Sequence, residues 1–212
     1  MTLGAPSEPS RVLVIGCGAL VRELQEVATR NGGEHIEVEC LPAIMHNRPE
    51  QIPEAVRRRV RAAKTTGAFR TILVGYMDCG TGGLLDRVCS EEGVERLGGP
   101  HCYEMYAGAD AFAGLQDAEP GTFYVTDYLV RHFDRIIMKG LGISAHPELL
   151  EMYFGNYTRV VHLAQADDDG LARAAEQAAA RLGLRCERIF TGIVGLERQI
   201  VKLAGAADAE AA

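Results

Sequence analysis

Residues 11–18 read RVLVIGCG, and this stretch decides the fold. Val12, Leu13, Val14 and Ile15 form an unbroken apolar run, rich in β-branched residues and closed by Gly16, which is the pattern of a short strand buried on both faces. The turn Gly16-Cys17-Gly18 hands the chain to a helical stretch through Arg30, where Asn31-Gly32-Gly33 supplies a stop. A buried strand, a Gly-rich turn and a helix together make the βα unit of parallel sheets.

The same alternation continues to the end of the chain. A strand at 35–41 runs into the loop PAIMHNRPEQ, and Pro49 and Pro53 open a helix to about Thr66. A strand at 70–76 leads to Asp78-Cys79-Gly80-Thr81-Gly82-Gly83 and a helix to Glu92. A short strand at 94–97 precedes Gly98-Gly99-Pro100-His101-Cys102 and a helix through about Leu115. After Glu119-Pro120-Gly121 the β-rich TFYVT (122–126) gives another strand, and Asp127 is placed to cap a helix to Lys139, broken by Gly140-Leu141-Gly142. Pro147 opens a short helix to Tyr153. A strand at 158–163, an Ala-rich helix at 168–182 capped by the acidic run Asp167-Asp168-Asp169, a strand at 185–190 and a terminal helix complete the order. The expected fold is α/β: an open, mostly parallel sheet with flanking helices, built from Rossmann-like units. It is read as a single domain over 11–203, with a candidate subdivision near 118–122 into two similar halves, and with flexible termini at 1–10 and 204–212.

Composition narrows the function classes. The 212 residues carry a formal net charge of -7 and are 47% hydrophobic, with a pI near 5.4 and a mean hydropathy of -0.02. Such a balance lacks the basic footprint that nucleic acid requires. The one basic run, Arg57-Arg58-Arg59 with Arg61 and Lys64, reads as a solvated helix face. No apolar stretch is long enough for a membrane span, and residues 1–10 lack a secretory pattern, so a cytoplasmic protein is expected. In that compartment thiols stay reduced, and the six cysteines point to packing, metal ligation or catalysis before disulfides.

Three of them stand apart. Cys17, Cys79 and Cys102 each occupy a short turn directly after a strand or strand end, and strand ends of a parallel sheet share one edge, where ligands bind. Thiolate is a soft, charged ligand, and three of them suit zinc or a four-iron four-sulfur cluster while leaving one position open for substrate. The alternative is three small buried residues, which is the expectation for Cys40, Cys89 and Cys186. His101 and Glu104 flank Cys102 at a helix start, where a thiol pKa falls and an imidazole can share a metal or shuttle a proton; a metal-free cysteine–histidine nucleophile is the competing reading there. With Asp78 they are the catalytic candidates. His46 and Asn47 fall on the same edge as a fourth ligand or a substrate contact. The backbone of Gly80, Thr81 and Gly82 offers N–H groups to an anion, though without a phosphate-loop signature, and Lys139 is a candidate for orienting an anionic group.

The segments MDCGTGGLLDRV (77–88), GGPHCYEMYAG (98–108), PGTFYVTDYLVRHFD (120–134), KGLG (139–142) and YFGNYTRVVHLAQ (153–165) resemble one uncharacterised family, a domain of unknown function of about this chain's length. The resemblance runs from Val12 to Leu196. It implies a setting in methanogenic archaea and bacteria beside corrinoid-dependent methyltransferase systems that demethylate methylated amines, and so a role in one-carbon metabolism. Positions matching the family pattern include Cys17, His46, Asn47, Asp78, Cys79 and His101 through Glu104. The expectation is therefore a metal-dependent enzyme acting on a small molecule, a lyase or transferase with a metal–thiolate site, partnered by a corrinoid protein or methyltransferase and with room for a homo-oligomer. The second reading is a non-catalytic metal or cofactor carrier for such a system; the lack of a DxHxxG-type motif speaks against direct histidine-on corrinoid binding.

Overall fold

The computed structural model describes residues 11–31 and 35–210. The expectations for residues 1–10, for Gly32 and Gly33, and for residues 211–212 lie outside the described residues. The architecture is α/β, and the strands assort into two parallel sheets rather than one. The chain divides into two compact units, residues 1–101 with 196–212 and residues 102–195.

The first unit holds β1 (Val12–Cys17), β2 (Ile36–Leu41), β3 (Thr71–Gly75) and the two-residue β4 (Glu95–Arg96), in the order β2-β1-β3-β4. Every residue of β1 is buried, as the RVLVIGCG run requires of a central strand. Helices α1 (Val21–Arg30), α2 (Ile52–Thr66) and α3 (Leu84–Glu92) connect the strands. Gly16 pairs with Cys40 on one side and Gly75 on the other. A Cβ on Gly75 would sit 3.0 Å from the Gly16 Cα, and one on Gly16 would strike Leu24 at 2.3 Å, so these two glycines let Leu24 of α1 lie directly on the sheet. The basic run of α2 is an ion-paired face: Arg57 reaches Glu54, Glu91 and Glu92, Arg61 reaches Glu92, and Lys64 donates to the Glu92 carbonyl. The last helix of the chain, Val194–Glu210, runs past the boundary at 203 read from the sequence. It buries Leu196 and Ile200 and is fastened to the first unit by Asn31 on Glu197 (3.0 Å) and by the Gly98 N–H on Gln199 (2.8 Å).

The second unit holds β5 (Thr122–Thr126), β6 (Arg159–Ala164) and β7 (Arg185–Phe190), all parallel, with β6 central. The helix expected from 102 to about 115 is two helices, α4 (Cys102–Ala107) and α5 (Ala109–Ala118), parted by Gly108 at a φ of 84°. The helix expected from 127 to 139 is α6 (Asp127–Arg131) followed by a π-helical stretch, Asp134–Lys139. Thr126, not Asp127, caps α6: its hydroxyl accepts the Leu129 N–H. Asp127 is turned inward because it has stronger work there, accepting from His162 Nε2 at 2.8 Å and from the Ala166 N–H at 2.9 Å in a buried setting. After α7 (Leu149–Phe154) and β6, Asp168 caps α8 (Asp169–Leu182) as read from the sequence, accepting from Gly170 and Leu171. One face of this sheet packs Val125 and Val160 against Ala175 and Ala179 of α8, and the other packs Tyr124, Val161 and Leu163 against Phe112. Among the described residues no helix is long and apolar enough to cross a membrane.

Candidate metal centre

The C-terminal edge of the first sheet collects Cys17, His46, Tyr76 and Cys79, each delivered by a different strand end or loop. Cys17 ends β1 and caps the following 3-10 turn, its sulfur accepting the Ala19 N–H at 3.3 Å. Gly18 has no side chain because a Cβ there would sit 2.9 Å from the Leu41 carbonyl oxygen and 3.1 Å from the Ala43 nitrogen. That close approach brings the 3-10 turn Ala43–Asn47 against Cys17. His46 Nδ1 consequently lies 3.6 Å from Cys17 Sγ and 3.2 Å from the Ala43 carbonyl oxygen. The imidazole stacks on Tyr76, with ring centroids 6.4 Å apart and planes inclined by 20°.

Tyr76 follows β3 directly and is 1% exposed. Its hydroxyl is buried beside the Cys17 thiol, with which it makes a side-chain hydrogen bond too loose in geometry to count as an ordinary one. A phenol buried without a full partner costs stability unless something completes its bonding. Sequence reasoning missed this residue because, in a run of strand, a tyrosine looks like an apolar end residue. The signal available was its place: the last ring before the Asp78-Cys79 turn on the ligand edge.

Cys79 is held in an unusual backbone conformation. Its φ of 50° makes it the one non-glycine residue with a positive φ among the described residues, a conformation that persists in an L-residue only where the surroundings impose it and that gathers at functional sites. The surroundings here are two backbone bonds, Asp78 N–H to the Gly99 carbonyl (3.1 Å) and Cys79 N–H to the Pro100 carbonyl (2.8 Å). Arg96 secures that second loop, gripping Asp86 with two nitrogens and donating to the carbonyls of Leu97 and Gly99. Pro49 packs beside Gly80, so the His46 loop and the Cys79 loop are neighbours.

The polar turn 78–83 is closed on itself. Asp78 accepts from the Thr81 hydroxyl (2.7 Å), from Gly83 N–H (2.9 Å) and from Gly82 N–H (3.2 Å). These bonds, Gly83 first, hold its carboxyl below the ordinary aspartate range. Of the N–H groups expected to cradle a foreign anion, that of Gly82 holds the chain's own carboxylate and that of Thr81 holds the Asp78 carbonyl oxygen (3.0 Å), and Asp78 serves to keep Cys79 in place. Asn47 is exposed on its loop, and His101 ends the first unit beside Pro100. Cys102 and Glu104 lie in α4, and Lys139 is exposed at the end of the π-helical stretch, all in the second unit. A groove of about 690 Å³ lined by Phe69, Thr71, Cys89, Val94 and Leu203 opens at the opposite end of β3 from Cys79 and includes none of Cys17, His46, Tyr76 and Cys79.

Electrostatics decide what the thiols are without a cation. Burial pushes the Cys17 thiol up to about 12, against the lowering by the Ala19 N–H and with a further rise from Cys79. Cys79 is pushed up to about 11, again by burial, with Asp78 raising it and Arg96 lowering it. Both are therefore neutral thiols at neutral pH, poor nucleophiles on their own. His46 is exposed at the surface, and desolvation of its ring by the surrounding protein lowers its pKa against the raising effect of the Ala43 carbonyl, which favours the neutral imidazole that metals require. Among the described residues no group of three or more His, Cys, Asp or Glu side chains is preassembled around a common point. The pair Cys17 and His46 does fit one metal: a sulfur at about 2.3 Å and a nitrogen at about 2.05 Å from a tetrahedral zinc stand about 3.5 Å apart, against the 3.6 Å between Sγ and Nδ1.

Comparison with known proteins adds a family and no activity. A family model described as "Protein of unknown function (DUF1638)" matches residues 40–200. No curated protein and no solved structure matches the chain.

Proposed function

We propose that this chain, which belongs to the DUF1638 family, is a cytoplasmic metal–thiolate protein whose centre forms at Cys17, with Cys79 and His46 as companion ligands and one position open to a small-molecule substrate. The observation that carries the reading is the buried Cys17 sulfur, which accepts the Ala19 N–H, has His46 Nδ1 at 3.6 Å and lies beside the buried Tyr76 hydroxyl. Groups that favour negative sulfur are assembled around a thiol that burial keeps protonated, and a cation is what offsets that burial. The imposed conformation of Cys79 supports the same reading. Cys102, the third thiolate expected from the sequence, stands two residues after Pro100 in the chain, and its part is decided by substitution.

Bound through thiolates with an open position, iron of a four-iron four-sulfur cluster or zinc supplies Lewis acidity toward a substrate oxygen, nitrogen or sulfur. The chain's own residues do the rest. Cys17 and Cys79 would hold the metal as thiolates, releasing their protons to solvent, and His46 would offer Nδ1 as the Nε2–H tautomer, giving up its bond to the Ala43 carbonyl. Asp78, Arg96 and the Gly99-Pro100 carbonyls hold Cys79 in register. Burial of Cys17 and Tyr76 keeps water from the sulfur side of the site. The resemblance to a family found beside corrinoid methyltransferases supports a substrate of one-carbon metabolism, with a lyase or transferase reaction and a corrinoid protein or methyltransferase as partner.

Anaerobic purification followed by metal, sulfide and absorption analysis tests this. Brown protein with about four irons and matching sulfide, or colourless protein with stoichiometric zinc, is the expected result, and either must be lost in Cys17→Ala. Wild type that carries no metal and takes up none would end the proposal. An enzyme loses turnover on substitution of His101 or Glu104, whereas a carrier keeps its cargo in both variants.

A further inference from the structure

We infer that Gln199 is a positioning residue for the Cys79 turn: it clamps the glycine loop whose carbonyls hold that turn, so that the seating of the last helix sets the geometry of the candidate site. The inference takes from the reading above only that the Cys79 turn belongs to the site. Cys79 keeps its φ of 50° through two backbone bonds, from Asp78 N–H to the Gly99 carbonyl (3.1 Å) and from Cys79 N–H to the Pro100 carbonyl (2.8 Å). Those two carbonyls sit on a loop that cannot shape itself. Gly98, Gly99 and Pro100 are all exposed, so no core packing holds them, and adjacent glycines leave the backbone its widest conformational freedom. The shape must come from the bonds around the loop. Upstream, Leu97 is fully buried and its N–H reaches the Val74 carbonyl of β3 at 3.0 Å. Arg96 donates to the carbonyls of Leu97 (2.7 Å) and Gly99 (3.3 Å) while gripping Asp86. The Gly98 N–H is taken by Gln199 Oε1 at 2.8 Å, from 101 residues away.

Gln199 is itself held in place. The last helix buries Leu196 and Ile200 on either side of it in sequence, and Glu197 accepts from Asn31 at 3.0 Å and lies 3.8 Å from Arg30. The chain passes between its two units twice, at 101–102 and at 195–196. The bond between Gly98 and Gln199 ties together the two segments of the first unit that adjoin these crossings. A shift of the helix is therefore felt at Gly98 and, through the Gly99 and Pro100 carbonyls, at Cys79.

Amide hydrogen exchange of the full chain, followed residue by residue by NMR without added metal, tests this. Gln199→Met keeps the size of the side chain and removes the acceptor. The Asp78 and Cys79 amides should then exchange about fivefold faster, the worth of one net hydrogen bond, while those of Val14 and Leu73 in the sheet keep their wild-type rates. Gln199→Glu, which restores an oxygen acceptor at the same reach, should return both amides to the wild-type rate. Asp78 and Cys79 amides unmoved in Gln199→Met overturn the inference. So does an acceleration shared by Val14 and Leu73, the mark of a merely structural glutamine, and so does failure of Gln199→Glu to rescue. Should the methionine variant not fold, wild type in low urea decides: the Gly98, Asp78 and Cys79 amides should open together with one urea dependence, and separate openings overturn the clamp. None of these readings uses a metal, so a protein that takes up no metal would leave the clamp standing, and a failed clamp would leave the metal–thiolate reading untouched.

Discussion

Replacing Gly18 by alanine tests how the site is built. The added Cβ would sit 2.9 Å from the Leu41 carbonyl oxygen and 3.1 Å from the Ala43 nitrogen, where ordinary contact begins at 3.4 Å. Both obstacles are backbone, so no side chain can rotate away; the Ala43–Asn47 turn and Cys17 must part by about half an ångström. Overpacking of this kind costs about 1–3 kcal/mol, and the two simultaneous backbone contacts place Gly18→Ala near 2 kcal/mol. In a chain of this size that is a melting temperature lower by about 6 °C. Because the displaced turn carries His46, the variant should also bind cobalt(II) about tenfold more weakly, in line with the loss of a supporting contact. Thermal melting followed by circular dichroism, with and without metal, measures both. Gly114→Ala is the control: its Cβ meets nothing within 4 Å in α5, and the change should be neutral or slightly stabilising. A Gly18→Ala protein that melts within about 1 °C of wild type would show that the close approach of the two turns is not what holds the site.

Other expectations follow from the same geometry. Asp127→Ala leaves the His162 imidazole and the Ala166 N–H without their buried acceptor and should cost about 3 kcal/mol in urea denaturation; a cost under about 1 kcal/mol would contradict the pairing. Metal-free folded protein should resist iodoacetamide at Cys17, which is buried, and at the half-buried Cys79 at neutral pH, since desolvation holds their thiols up at about 12 and about 11, and mass spectrometry should find both labelled only in denaturant; prompt labelling of native protein would disprove the neutral thiols. Asp78 has a folded pKa below its ordinary value, so what its carboxylate contributes is present above the unfolded pKa and lost as the pH falls through the folded one. Acid should therefore erode wild-type stability more than that of Asp78→Asn, as read from denaturant midpoints at neutral and at acid pH, and parallel curves would refute the turn-locking role.

The fold was legible where local pattern suffices. The β1 run, the capped α8 and the TFYVT strand lie where apolar runs, Asp168 and β-rich composition put them. The sequence offered two halves divided near 118–122, but which strands pair within each sheet was not legible, because pairing is decided by distant partners: β4 has only two residues and closes the first sheet, and nothing in its own sequence says so. Gly108 was read as an interior helix residue and is a break, since a positive φ there lets the chain restart as α5. Asp127 was read as a cap, and a buried histidine 35 residues away claims it instead. In the site, Cys17 and Cys79 were visible through their glycine neighbours at strand ends. Tyr76 was hidden in apolar context, and the self-contained bonding of Asp78 with Gly82 and Gly83 was hidden because donors and acceptor sit in one short turn that reads equally well as a cradle for an outside anion.

The central claim is a metal–sulfur bond at Cys17, and X-ray absorption on the metal of anaerobically loaded protein tests it directly. The account predicts sulfur scatterers at about 2.3 Å, with the sulfur contribution falling by one in Cys17→Ser. A first shell made only of oxygen and nitrogen, or a sulfur count unchanged by that substitution, would contradict it.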